Sequence, residues 1–188
     1  MRICQKGPWT GSAFCAFGAR GYGIRRRTMA ETLIDLPKNT THVTCERLQQ
    51  RLADAIVLHT HAKQAHWNVK GPAFIALHEL FDRLAALAGE QADRLAERIV
   101  ALGQRAQGTA QDVVRMTRLP DWPQGVGSGF EHLNALARAT AAYANGLRAD
   151  ARAVDEVGEM VSADLLVTLA GETDKMLWML EAHLAADA

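Results

Sequence analysis

Four stretches of the chain repeat their apolar residues with the period of an α-helix, and the breaks between them leave little choice of architecture. In the first, Leu52, Ala55, Ile56, His59, Ala62 and His66 follow Leu48 at offsets of 4, 7, 8, 11, 14 and 18 residues, one helical face. Thr44 suits an N-cap, with Glu46 in the first turn, so this helix is expected from about 44 to Asn68, ahead of the Gly71-Pro72 break. A second is expected from about Ala73 to Leu102, with Phe74, Leu77, Phe81, Leu84, Leu95, Ile99 and Leu102 facing the core and Gly103 as its stop. Ser128-Gly129-Phe130-Glu131 is a capping box. It opens a third helix, carrying Leu133, Leu136, Thr140, Tyr143 and Leu147 to about Val157. Gly158 interrupts, and a fourth runs from about Val161 to Ala185 on Leu165, Leu169, Met176, Leu180 and Leu184.

The connection over 104–127, with Gly108, Pro120, Pro123, Gly125 and Gly127, is too long for a hairpin in a compact helical domain. It predicts a crossover between parallel helices 2 and 3, hence an all-α four-helix bundle of ferritin-like connectivity. A chain of 188 residues is long enough for one such domain. Cytokine-like and sensor bundles show similar stripes, so the function has to come from a site. The 21 basic and 21 acidic residues cancel, which leaves no global field to recruit nucleic acid or membrane. No apolar run approaches the roughly 20 residues that span a bilayer. Cys4, Cys15 and Cys45 are odd in number and lack C-x-x-C spacing, so they read as reduced thiols of a cytoplasmic protein. Residues 1–28 hold Arg2, Lys6, Arg20, Arg25, Arg26 and Arg27 and no acid. They read as a basic, disordered extension or as sequence ahead of a start at Met29, with a targeting peptide behind both. Residues 29–43 then form a lead-in, and 44–188 the bundle domain.

Helix 2 and the end of helix 1 carry the chemistry. His66, His78, Asp82, Asp93 and Glu97 combine imidazole and carboxylate, a donor set that suits iron. With His78 at zero, Asp82, Asp93 and Glu97 lie at about 40°, 60° and 100° around the helix, so all four share one face. Asp82 and Asp93 are nevertheless about 16 Å apart along the axis, too far to share an ion. Both His78 with Glu97 and Asp82 with Asp93 are centred on the point between Leu87 and Ala88. An antiparallel copy crossing there would set His78 opposite Glu97 and Asp82 opposite Asp93, in two identical sites of a two-fold dimer. The segment Ala85-Ala86-Leu87-Ala88-Gly89 is small enough for close approach, and His66 could join one end of each site. Arg94 and Arg98, next to the acids, leave open a plain interfacial salt-bridge cluster. His59 reads as a buried or half-buried helix residue and His61 as a surface one.

The run KQAHWNVKGPAFIALHELFD at 63–82, with D-x-x-x-E-R at 93–98, resembles the DNA-protection-during-starvation (Dps) family of mini-ferritins. The resemblance extends through ALGQRAQGT at 101–109 to DKMLWMLEAHL at 174–184. It implies a four-helix bundle assembled as a hollow dodecamer, with di-iron ferroxidase centres at two-fold interfaces. By motif, His66, His78 and Asp82 of one subunit would face Asp93 and Glu97 of another. Trp67 resembles the tryptophan proposed in that family to supply electrons or quench radicals; by itself it reads as interface packing. The implied activity is oxidation of Fe(II), preferably by hydrogen peroxide, and storage of Fe(III) mineral. DNA compaction through Arg20, Arg25, Arg26 and Arg27 is the alternative role. Asp150, Asp155 and Glu156 are candidates for the iron-entry path.

Overall fold

A computed structural model describes residues 32–185, which form five helices. These are α1 (Lys38–Asn68), α2 (Phe74–Ala101), α3 (Ala110–Met116), α4 (Gly129–Glu156) and α5 (Met160–Leu184). The short turns after α1 and α4 make two antiparallel hairpins, α1–α2 and α4–α5. Thr40, at the start of α1, donates its hydroxyl to the Val157 carbonyl at the end of α4, so these helices are antiparallel as well. Hence α2 and α4 run parallel, and the segment between them is the expected crossover. Leu48, Leu58, Phe81, Leu84, Leu95, Leu136, Tyr143, Leu147, Leu166 and Leu169 fill the space between the four long helices.

Three helices keep the expected bounds to within a residue; the first does not. Helix α1 begins at Lys38, directly after Pro37, whose φ of −56° already suits a helix. Residues 39–44 are poor helix formers, yet Thr40 and Thr44 are buried, and packing overrides propensity. The lead-in is thus shorter than 29–43. Helix α4 has its capping box: Ser128 Oγ accepts from the Glu131 amide while Glu131 accepts from the Ser128 amide. Gly158, at φ 83°, takes the left-handed turn that lets α5 start at once.

The crossover holds an unexpected short helix, α3, capped by Thr109 accepting from the Asp112 amide. It is tied to α1 by side chains that take backbone partners. The Gln49 amide group both donates to the Gln107 carbonyl (2.7 Å) and accepts from the Gln107 amide (2.9 Å). Asp54, wholly buried, accepts from the Thr117 hydroxyl (2.9 Å) and the Arg118 amide (2.7 Å).

Asp54 also pairs with Arg51 at 3.0 Å, and Arg51 Nε approaches Asp150 of α4 at 2.9 Å. This buried knot corrects one expectation: Asp150 is 4% exposed and committed to arginines, so it does not line an ion path. Burial raises the Asp150 carboxyl above its ordinary range, and Arg51 and Arg47 oppose that shift. Asp155 and Glu156 are exposed. The guanidinium of Arg51 occupies the space over Gly146, where an added Cβ would lie 2.7 Å from Cζ.

A second polar inclusion lies under the crossover. His132 is 1% exposed, and neither ring nitrogen has a hydrogen-bond partner among the described residues. Its ring stacks on Trp122 at 5.8 Å, and Trp122 in turn meets His61 at 5.3 Å. His61 is therefore a half-buried member of an aromatic row and not a plain surface residue. Burial lowers the pKa of both histidines below the ordinary imidazole value, against the opposing pull of Asp121 at His61 and of Glu131 and the Asn68 backbone at His132.

Two outcomes follow from these inclusions. Gly146→Ala is expected to displace Arg51 and break a buried ion pair, a loss of about 3 kcal/mol. At about 2–4 °C per kcal/mol, circular dichroism should show a melting midpoint lower by about 6–12 °C. For His132 the folded state prefers the neutral ring, while the unfolded chain takes up a proton near its ordinary value. Stability is then full above about pH 6.5 and declines as pH falls below it. His132→Phe, which keeps the stack and removes the orphaned nitrogens, should flatten that decline between pH 7.5 and about pH 5.5 in denaturant titrations. An unchanged acid limb would show that the decline has another source.

Candidate metal site

The end of α1 and the start of α2 are held together by two histidines bonded to each other's backbone. His66 Nδ1 lies 2.9 Å from the His78 carbonyl, and His78 Nδ1 lies 2.9 Å from the His66 carbonyl. A carbonyl only accepts, so each Nδ1 carries the hydrogen and each Nε2 keeps its lone pair. The His66 carbonyl belongs to the last turn of α1, where no helical amide follows to satisfy it, so the bond also caps the helix. The rings stack with centroids 3.7 Å apart, and Phe74 packs on His78 at 5.0 Å. Fixing the tautomer through a backbone carbonyl is how proteins orient metal-binding imidazoles.

Asp82, one turn beyond His78, is 3.9 Å from His66 Nδ1. It accepts from the Lys63 ammonium at 2.7 Å. That hydrogen bond, chiefly, holds the carboxyl below the usual range, and the charge of Lys63 acts the same way. A carboxylate kept ionised is ready to bind a cation. Lys63 also stands 6.0 Å from the centre of the Trp67 ring, which is 68% exposed.

Asp93 and Glu97 sit at the far end of α2, both exposed and without an ion-pair partner among the described residues. Their neighbouring arginines turn the other way. Arg94 pairs with Glu172 of α5 at 3.0 Å, and Arg98 with Glu159 at 3.2 Å and Ser162 at 2.8 Å. The two acids are therefore not a salt-bridge face with their sequence neighbours. Within one chain the structure brings His66, His78 and Asp82 to one end of α2 and leaves Asp93 and Glu97 at the other. Among the described residues, no three His, Cys, Asp or Glu side chains of one chain converge to hold an ion.

The face they share is open. Besides Asp82, Asp93 and Glu97, it exposes Ala86 and two apolar residues, Ile75 (63% exposed) and Val100 (49%). Ile75 and Val100 are also centred on the point between Leu87 and Ala88, so the apolar ends follow the same symmetry as the candidate ligands. The small segment is used differently from the expectation: Ala85 and Ala88 are buried against the chain's own core. Ala86 and Gly89 are left for the outer face. Arg20, Arg25, Arg26 and Arg27 lie outside the described residues. Cys45 is buried, and burial pushes its thiol up to about 11, so it stays protonated and unreactive. Among the described residues, no helix is long and apolar enough to cross a membrane.

Two helical hairpins with one crossover, carrying a helix-borne set of histidines and carboxylates, define a ferritin-like protein. The chain matches the family model of the ferritin-like domain over residues 45–187. A DNA protection during starvation protein of Agrobacterium fabrum is 39% identical over 153 residues, covering 81% of this chain and 94% of that one. DpsC from Streptomyces coelicolor superposes with a TM-score of 0.79 at 31% identity, covering 84% of this chain and 92% of that one. Dps from Microbacterium arborescens in the high iron form gives a TM-score of 0.75 at 33% identity, covering 83% and 99%. The chain belongs to the DNA protection during starvation (Dps) family of ferritin-like proteins.

The Lys63–Asp82 bond is open to a direct check. In Lys63→Met the Asp82 carboxyl should titrate within the ordinary carboxylate range, above its wild-type value, when followed by carbon-detected NMR. An unmoved titration would show that Lys63 does not set the charge of Asp82.

Proposed function

We propose that the protein is a ferroxidase and iron store that removes Fe(II) and hydrogen peroxide together, and so protects DNA from oxidative damage. The observation that carries this reading is the pairing about one point of α2. Two tautomer-fixed imidazoles and an ionised Asp82 lie on one side, and two unpaired acids at matched distances on the other. In a two-fold dimer, His66, His78 and Asp82 would face the partner's Asp93 and Glu97, giving two equal inter-subunit sites. Ile75 would meet the partner's Val100 at each end of the crossing.

Fe(II) is the substrate. The two Nε2 lone pairs and three carboxylates supply borderline and hard donors that suit it, and the small number of protein ligands per ion leaves positions for the oxidant. Two Fe(II) ions give one electron each, the peroxide O–O bond breaks, and two protons are taken up to form two waters. Delivering both electrons at one centre avoids the single-electron step that releases hydroxyl radical. The Fe(III) product would be stored as oxyhydroxide inside a hollow dodecamer in the cytoplasm. Trp67, exposed beside Lys63 at the mouth of the site, would pack in the interface and supply an electron when only one iron is bound. A second reading is DNA compaction. It is favoured by the acid-free run that holds Arg20, Arg25, Arg26 and Arg27.

Anaerobic loading with Fe(II), followed by peroxide, tests the first reading. The wild type is expected to oxidise about two Fe(II) per site. Asp93→Ala combined with Glu97→Ala should slow the absorbance rise of Fe(III) by about 10²-fold or more. Equal rates in the two proteins would refute the assignment.

A further inference from the structure

His59 lies two turns before His66 on the same face of α1 and has no part in the site described. It nevertheless repeats the same device: its Nδ1 is 2.8 Å from the Ala85 carbonyl. The proton is thus on Nδ1, and Nε2 keeps its lone pair with no hydrogen-bond partner among the described residues. The half-buried ring rests against Gly89, where an added Cβ would come 3.4 Å from Nδ1. It is bracketed on α2 by Ala85 and Gly89, whose midpoint is Leu87. That level is within about 1 Å, along the helix, of the Leu87–Ala88 point on which the paired ligands are centred. Ala86 and Gly89 are themselves a symmetric pair about that point. Both are small, so a second α2 can approach closely where His59 stands.

We propose that the two His59 rings of a dimer converge on its two-fold axis and form a bis-imidazole site for a divalent transition-metal ion, separate from the Fe(II) centres. The inference rests on the two-fold reading of α2. Two imidazole nitrogens, completed by water, suit Zn(II), Cu(II), Ni(II) or Co(II) and not a hard cation such as Mg(II). The backbone carbonyl of Ala85 plays the orienting part that outer partners play at metal-binding histidines. Position on the axis gives the site its own signature: one ion is shared by two chains, whereas the His66 centres repeat once per chain. A bound ion also links the subunits, so it strengthens the dimer by mass action.

Co(II) is a suitable probe, added without oxygen to the full chain carrying Asp93→Ala and Glu97→Ala. Equilibrium dialysis should find a class of about one Co(II) per two chains, with visible d–d absorption. Adding His59→Asn should abolish that class, because the Asn amide can keep the bond to Ala85 but has no nitrogen at the Nε2 position. Light scattering on the same samples reports assembly, and circular dichroism reports folding. If a dimer forms without this class, or His59→Asn retains it, the inference is overturned and the two-fold reading stands. A monomeric wild-type chain would overturn both.

Discussion

Imidazole-to-carbonyl hydrogen bonds between α1 and α2 set the register on which the rest of the site depends. His59 to Ala85, His66 to His78 and His78 to His66 are three such bonds along one helix pair, at two levels two turns apart. The first two step seven residues in opposite directions on the two helices, which is what an antiparallel pair in fixed register requires. A slip of one residue would break all of them and swing His66 out of line with His78. The same bonds decide which nitrogen is free, because a ring whose Nδ1 is spent on a carbonyl can offer only Nε2. Packing register and ligand tautomer are therefore one constraint and not two.

The other hairpin is held against this one by the Arg51 knot. Arg51 reaches from α1 to Asp150 on α4, while Asp54 takes the Thr117 hydroxyl and the Arg118 amide from the crossover. A buried ion pair contributes little net stability once desolvation is counted, yet removing one partner is costly. Its effect here is one of specification. The guanidinium fits only where α4 lacks a side chain, at Gly146, and that fixes how α4 slides along α1. At the far end of α2, Arg98 binds Glu159 and Ser162 at the start of α5. The long helix that carries both halves of the ligand set is thus anchored at each end.

Much of this was legible in the sequence because an α-helix has constant rise and twist. Placing Asp82 and Asp93 on one face and too far apart needed only those two numbers, and side-chain detail did not alter it. Helices α2, α4 and α5 carried their own signals in apolar period, capping box and Gly158. The start of α1 did not, since Thr40 and Thr44 are helical for the sake of burial against the rest of the bundle. Helix α3 had a readable mark in Thr109-x-x-Asp112, a short N-cap signature lost inside a Gly- and Pro-rich stretch. Asp150 reads in the sequence as a candidate for an iron-entry path, and Arg51 and Asp54 carry no local mark of their burial. Nothing local distinguishes a buried pair from a solvated one when the partners are about a hundred residues apart. Gly146, in mid-helix, was the one hint. Ala85 and Ala88 misled in the opposite sense, because small residues suit close packing within a chain as well as between chains.

The axial separation of the ligands has a consequence for when chemistry can occur. A lone chain offers, at one end of α2, two imidazole nitrogens and a carboxylate already engaged by Lys63. At the other it offers two carboxylates with no imidazole. Among the described residues, no three of these side chains of one chain converge to hold an ion, and the arginines that could have neutralised the second half are turned to α5. The unpaired acids repel one another and stand beside apolar Val100, an arrangement that favours covering that face with something complementary. The complementary surface is the same face turned end for end. On the proposed two-fold reading, association would bring the two donor sets together and relieve the uncompensated charge in one step, and the proposed chemistry would then belong to the assembled protein and not to the lone chain.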